Sequence, residues 1–372
     1  CKNTYFNGAP IAVLFGKNTD SVAAFLGVVY SGNIYTIIDS HMPLERINII
    51  FDNLAPAAVI TDRAHEAMAR KIGFSGPILL IEDAQEHAAD IELLTRVRAC
   101  MTESDPLYVL FTSGAAGIPK GVVVTHRNVI SYISWFTDTF GISDATVLAN
   151  QTPFDFSMSV TDIYATLCRA STLHIVPKQL FSFPDRLFEF LTERRVDTIY
   201  WVPSVLCKLA NMRVFDRVSL PYLKRVLFAG EVMPARQLNY WIKNLPGALF
   251  ANLFGPTETT DICTYYVVDR EFADDEPIPI GRACDNCQVM VVGQDGDIVR
   301  EPDREGELYV RGPFVALGYY NDPQKTAQSF VRNPFCSEYP EYVYRTGDLV
   351  KYNAAGELIY VARRDWQIKH GG

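Results

Sequence analysis

Leu107-Tyr108-Val109-Leu110-Phe111-Thr112-Ser113-Gly114-Ala115-Ala116-Gly117-Ile118-Pro119-Lys120-Gly121-Val122-Val123-Val124-Thr125-His126 is the stretch around which the chain is read. Leu107 to Phe111 is a short apolar run, as expected of a buried strand. The run ends at the hydroxyls of Thr112 and Ser113. Gly114, Gly117 and Gly121 then punctuate a loop, Lys120 stands near its end, and Val122 to Val124 is a second apolar run. This order makes an anion cradle. Glycines let backbone N–H groups approach phosphate oxygens, hydroxyls add donors, and the lysine adds a point charge. Neither the G-x-x-x-x-G-K-[ST] nor the G-x-G-x-x-G spacing is present. A plain glycine-rich turn between two core strands would produce the same local pattern.

Composition sets the outer limits. The 372 residues suffice for one large or two ordinary domains, and 48% hydrophobic with 21% charged residues is ordinary for a soluble globular chain. Lys and Arg number 34 against 43 Asp and Glu, a net charge of −9. That charge argues against nucleic acid or an anionic membrane as partner. No apolar stretch reaches membrane-spanning length. Eight cysteines are scattered, with one C-x-x-C at Cys284 and Cys287. Without a second pair or a nearby His, zinc is not expected, and the thiols read as reduced in a cytoplasmic protein. Residue 1 is Cys, so the chain reads as a fragment.

Ahead of the loop, strands and helices alternate. Ile11 to Phe15, Ile34 to Asp39 and Ala57 to Thr61 read as strands. Ser21 to Ser31, stopped by Gly32, and Pro43 to Leu54 read as helices. The alternation predicts a doubly wound parallel sheet. The polar stretch 62–105 reads as surface helices. After the loop, Asn128 to Phe140 and Phe181 to Arg194 read as helices, and Asp197 to Val202 and Val226 to Phe228 as strands. From Pro279 the pattern changes to short alternating strands, Gln288 to Val292, Gly306 to Arg311, Val350 to Tyr352 and Glu357 to Val361, which read as β-hairpins.

Thr-Ser-Gly-x-x-Gly-x-Pro-Lys-Gly resembles the phosphate loop of the adenylate-forming superfamily, and further motifs follow in order. Phe254-Gly255-Pro256-Thr257-Glu258 is similar to its Tyr-Gly-Pro-Thr-Glu motif, with Phe254 keeping the stacking face. Gly306 to Gly312, Tyr344-Arg345-Thr346-Gly347-Asp348-Leu349, and Arg363 to Lys369 resemble the sixth, seventh and eighth motifs of its amino-acid adenylation domains. The stretch Gly27 to Asp39 resembles the second.

The resemblance implies a fold of class α/β, with two doubly wound, mainly parallel sheets with helices plus a small distorted β-barrel. It assigns residues 1–361 to a large N-terminal subdomain, with the two sheets in about 1–275 and the barrel part in about 276–361. Residues 362–372 fall to the hinge region, at Asp365, with the lysine-bearing C-terminal subdomain absent. It also implies ATP and Mg²⁺ as cofactors, a carboxylic or amino acid as substrate, and a carrier protein with a phosphopantetheine arm as partner.

Residue by residue, Thr112, Ser113, Gly114, Gly117 and Lys120 would hold phosphate. Gly230, Glu231, Asn252, Phe254 and Gly255 would line the nucleotide pocket, with Asp348 on the ribose and Arg363 on the ribose or phosphate. Thr257 would act with Glu258, the magnesium ligand, because a carboxylate beside a triphosphate needs a metal between them. Phe228, Ala229, Asp261 and Ile262 would face the acyl group. Two alignments compete for the residue that grips the substrate ammonium. One anchors on Phe154-Asp155; the other, without a gap, puts Ser157 there, and Asp261 could then supply the charge that Ser157 lacks. Ala115 and Ala116 stand where the family has hydroxyls. An acyl- or aryl-CoA ligase and a degenerate nucleotide-binding module without catalysis remain alternatives.

Overall fold

The computed structural model describes residues 8–113 and 118–364. Gly114, Ala115, Ala116, Gly117 and the expected hinge at Asp365 lie outside the described residues. The chain divides into two compact units. One holds residues up to Ile130 together with Pro153–Ser157 and Ala316–Gln328; the other holds Ser131–Thr152, Met158–Val315 and the chain from Ser329 on.

The first unit is built on a seven-stranded sheet in the order β16-β6-β5-β2-β1-β3-β4. Its strands are β1 (Pro10–Phe15), β2 (Ile34–Asp39), β3 (Ala58–Thr61), β4 (Ile78–Leu80), β5 (Pro106–Thr112), β6 (Lys120–Thr125) and β16 (Gly318–Tyr319). The helices are α1 (Thr19–Tyr30), α2 (Leu44–Leu54), α3 (Glu66–Lys71), α4 (Ile81–Gln85) and α5 (Ile91–Cys100), with α11 (Pro323–Ser329) next to β16 in sequence. β1 to β5 pair in parallel, as alternating βα units require. Local chemistry sets the helix ends. Asn18 and Ser21 form a reciprocal capping box on α1, and Gly32 follows its end with φ +73°. The apolar face of α2, Ile47, Ile50, Phe51 and Leu54, packs with Ala12, Leu14 and Ile38 of the sheet. β4 departs from the all-helical reading of 62–105. It is a three-residue, half-buried edge strand, too short to show a period of two.

The second unit carries a seven-stranded sheet in the order β13-β12-β11-β10-β9-β7-β8. Its strands are β7 (Val147–Asn150), β8 (Thr172–Ile175), β9 (Thr198–Trp201), β10 (Arg225–Ala229), β11 (Leu249–Phe254), β12 (Thr264–Val267) and β13 (Arg282–Ala283). Its helices are α7 (Met158–Arg169), α8 (Pro184–Glu193), α9 (Pro203–Asn211) and α10 (Ala235–Asn244). α6 (His126–Thr139) begins in the first unit and ends in the second. β7 to β11 are parallel, while β12 and β13 are antiparallel. Phe181 to Arg194 is not one helix. Pro184 takes the first position of α8, and the residues before it form a 3₁₀ turn, Lys178–Ser182. The core joins Leu187, Phe188 and Leu191 of α8 to Leu206 and Leu209 of α9 and Leu238 and Trp241 of α10.

The same unit contains an antiparallel five-stranded sheet of β14 (Gln288–Val292), β15 (Glu305–Arg311), β17 (Phe330–Arg332), β18 (Tyr342–Tyr352) and β19 (Leu358–Arg363). The span 276–361 is therefore not β-rich barrel throughout, because Ala316–Gln328 returns to the first unit. There β16 takes the edge of the first sheet that β6 leaves open.

Candidate active site

In the first unit, β5 and β6 pair antiparallel within a sheet that is otherwise mostly parallel. The loop after Thr112 closes this hairpin. Thr112 stands directly opposite Lys120, so the two side chains share one face. Thr112 Oγ1 is buried and has no hydrogen-bond partner among the described residues. Such a donor is costly unless a ligand satisfies it, which suits an anion site. Ser113 is exposed next to it. Lys120 Nζ donates to the Tyr319 hydroxyl at 3.0 Å.

Asp155 and Ser157 also belong to the first unit. Ser157 is buried. Burial, and then the charge of Asp39, push the Asp155 carboxyl up to about 6, with Arg46 opposing.

In the second unit, a cavity of about 910 Å³ gathers Gly230, Glu231, Asn252, Phe254, Gly255 and Arg363. Its volume lies within the usual range for small-molecule sites. β11 supplies Asn252, Leu253 and Phe254 to the wall, and the chain leaving the neighbouring β10 adds Gly230 at φ +92°. The Asn252 amide donates to the Pro279 carbonyl at 2.8 Å, which fixes its side chain. Glu231 accepts the Ser204 N–H at 2.7 Å, in the first turn of α9. Phe254 and Tyr360 both line the cavity, with ring centroids 5.8 Å apart. Asp348 pairs with Arg363 across β18 and β19 and is only 1% exposed. Arg363 Nη1 lies 3.4 Å from Asp348 Oδ1, so the arginine lines the cavity and the aspartate lies beneath it. Asp348 sits within an eleven-residue strand rather than in a turn.

Beyond Gly255 the chain doubles back. Thr257 and Glu258 lie in a buried 3₁₀ turn, Glu258 only 3% exposed. Asp261, 2% exposed, follows. Its Oδ2 accepts from Thr161 (2.7 Å), Tyr200 (3.0 Å) and Tyr132 (3.1 Å). Burial, and next the Asp261 charge, raise both phenols well above their ordinary range, so both keep the protons they donate. Phe228, Ala229 and Ile262 are buried as well. None of these residues, nor Thr257 or Glu258, is on the cavity wall.

The model of the AMP-binding enzyme family matches residues 5–320. The chain belongs to that family. A D-alanine--D-alanyl carrier protein ligase of Lacticaseibacillus rhamnosus is 34% identical over 98% of this chain and 70% of the relative. Its counterpart in Listeria monocytogenes is 32% identical over 97% of this chain and 70% of the relative. Among solved structures, the nonribosomal peptide synthetase FmoA3 in its alpha-methyl-L-serine-AMP bound form superposes with a TM-score of 0.86 at 26% identity. That match covers 98% of this chain and 40% of the synthetase chain. In this AMP-binding fold the two parallel-rich sheets and the antiparallel sheet are those expected from the sequence.

Tyr360 was missed by the sequence reading. It follows a Gly-Glu turn as one apolar residue of a short strand, and only the alternation along β19, which puts Tyr360 and Ala362 on the cavity, marks it. Among the described residues no helix is long and apolar enough to cross a membrane, and the seven described cysteines are free thiols.

Two outcomes follow from this geometry. Asp261→Ala would remove the acceptor of Tyr200, Thr161 and Tyr132, of which the last two still bond each other at 2.7 Å, and should cost about 1–3 kcal/mol, whereas Asp261→Asn keeps an acceptor oxygen and should cost less. Urea denaturation of the three proteins checks this, and equal stabilities would show that the hydroxyls re-pair freely. Asp155 binds its proton more tightly folded than unfolded, so its contribution to stability is present at low pH and is lost as pH rises from ~4 toward about 6. Asp155→Asn should remove that fall, on the order of 2 kcal/mol, in thermal denaturation at a series of pH values. An unchanged pH profile would place the titrating group elsewhere.

Proposed function

We propose that this chain catalyses ATP-dependent adenylation of an amino acid, forming aminoacyl-AMP and pyrophosphate, for transfer to the phosphopantetheine thiol of a carrier protein. The observation that carries this reading is the cavity that gathers Asn252, Phe254, Gly255 and Arg363, with Asp348 behind it. Likeness to carrier protein ligases supports the acceptor and the amino-acid class. In the reaction the substrate carboxylate attacks the α-phosphorus and pyrophosphate leaves, so the protein needs no nucleophile of its own. Its work is positioning and charge neutralisation.

Each group has a role suited to its chemistry. Phe254 and Tyr360 offer ring faces to the purine. The two carboxylate oxygens of Asp348 suit paired ribose hydroxyls, with Arg363 turning from Asp348 to ribose or phosphate. Thr112, Ser113 and Lys120 hold phosphate oxygens. Among the described residues no cluster of three or more His, Cys, Asp or Glu could hold a metal alone. A carboxylate such as Glu258 shared with phosphate oxygens is the usual arrangement for Mg²⁺, which would offset phosphate charge when bound. Thr257 adds a hydroxyl beside Glu258. Asp155, Ser157 and Asp261, with Phe228, Ala229 and Ile262, serve substrate recognition.

Pyrophosphate exchange against panels of amino, aryl and fatty acids tests the class. Exchange driven by amino acids is expected. Exchange driven only by aryl or fatty acids would make this an acyl-CoA-type ligase, and nucleotide binding without any exchange would mark a non-catalytic module. At the nucleotide, Asp348→Asn should weaken AMP binding about tenfold or more, because each hydroxyl-to-carboxylate bond is worth roughly 1.5–3 kcal/mol. Calorimetric titration with AMP reads this, and an unchanged affinity would remove the ribose from Asp348.

A further inference from the structure

The register around the phosphate loop brings together side chains that are far apart in sequence. β6 is flanked by β5 on one side and by β16 on the other. Lys120 is opposite Thr112 on β5, and Val122 is opposite Tyr319 on β16. Opposed residues share a face, and so do residues two apart on one strand. Tyr319 is therefore the diagonal neighbour of Lys120 on the face that also carries Thr112.

The contact follows from this placement. Lys120 Nζ is 3.0 Å from the Tyr319 hydroxyl and 4.8 Å from the centre of its ring, so the hydrogen bond dominates over the ring face. Tyr319 itself is held rigidly. Its neighbours Leu317 and Tyr320 donate to the carbonyls of Val123 and Gly121. Its own N–H donates to Thr326 Oγ1 at 2.9 Å, and that hydroxyl donates to the Asp322 carbonyl at 2.8 Å. Gly318, at φ +139°, lies so close to Thr326 that an added Cβ would come within 2.5 Å of its methyl group. The tyrosine is buried, so its ring has little freedom.

A lysine has a long flexible stem, and three donors radiate from its ammonium. One donor spent on a fixed phenol oxygen stops the stem from sampling solvent and fixes where the ammonium sits. The buried Thr112 hydroxyl lies across from it with a donor to offer. We propose that Tyr319 is a positioning residue that holds the Lys120 ammonium at the base of the loop, pre-oriented for the terminal phosphates of a nucleoside triphosphate. The proposal rests on the reading of residues 112–121 as a phosphate loop, and its test separates the two.

Affinities for ATP and for AMP, which lacks those phosphates, are measured by calorimetry on the wild-type chain, Tyr319→Phe, Lys120→Ala and the double variant. Phenylalanine keeps the ring and its packing and removes only the hydroxyl. Tyr319→Phe is expected to weaken ATP about five- to tenfold and to leave AMP within about twofold. In the Lys120→Ala background the same change should have no further effect on ATP, because the group it positions is gone. A fold defect would lower both nucleotides together, and circular dichroism melting of each variant monitors it directly. If Lys120→Ala separates ATP from AMP but Tyr319→Phe does not, the positioning role is wrong and the loop reading stands. If Lys120→Ala leaves ATP unchanged, the loop reading fails and the proposal with it.

Discussion

At Gly255 the chain runs against itself so closely that an added Cβ would lie 2.5 Å from the Asp261 carbonyl oxygen and 2.7 Å from the Cys263 nitrogen. Real Cβ atoms do not approach backbone so closely, so only glycine can end β11 and let the chain fold back. This one contact sets several others. It confines residues 256–260 to a tight buried turn that contains Thr257 and Glu258. It delivers Cys263 to the Phe254 carbonyl, where its N–H donates at 2.8 Å, and so starts β12. It also lands the Asp261 carboxylate among Tyr132 of α6, Thr161 of α7 and Tyr200 of β9. A glycine on the wall of the cavity therefore governs a polar centre buried beneath that wall.

That centre is held by neutral hydroxyls. They orient a carboxylate without cancelling its charge, unlike the ion pair of Asp348 with Arg363, where a cation covers the acid. The two arrangements suit different tasks. An arginine beside a carboxylate neutralises the charge it touches. A carboxylate gripped by three hydroxyls from three elements has one orientation, since moving it would break all three bonds together. Glu307 is a third case, bonded to Arg345 of β18 at 2.9 Å and to Arg364, just after β19, at 3.1 Å.

The sequence was legible where the determinant is local. Apolar runs marked β1, β2, β5 and β6 to within a residue or two, and glycines marked the ends of α1 and β10. The Phe-Gly-Pro-Thr-Glu segment could be read because five consecutive residues carry its resemblance to a family motif. Elements as short as β4 and β16 lack enough residues to show a period, and their pairing depends on edges supplied from elsewhere. Asp348 could be picked out by the Tyr-Arg-Thr-Gly-Asp-Leu motif, but its pairing with Arg363 could not, since that partner lies on another strand. The partners of Asp261 are 61 to 129 positions away from it, and no periodicity reports such contacts.

The pairing of Lys120 with Tyr319 takes this furthest, since 199 positions separate them. What joins them is the excursion of Ala316–Gln328 back to the first unit, a segment flanked on both sides by residues of the second. The detour buries Ala316 and Tyr319 and packs Tyr320 against the core of the first unit, although β16 contributes only two residues to the sheet. Two backbone bonds to β6 and the Thr326 clasp nevertheless hold it. Such an excursion costs conformational entropy, so its return has to come from what it places. It closes the β6 edge, which would otherwise present unpaired donors and acceptors beside the loop. It also delivers one phenol to the only lysine between Thr112 and Thr125. Edge closure is made by backbone atoms, and burial at position 319 asks only for a large apolar ring. A hydroxyl aimed at an ammonium depends on the side chain, which is why the identity of residue 319 belongs with the chemistry of the loop rather than with the sheet.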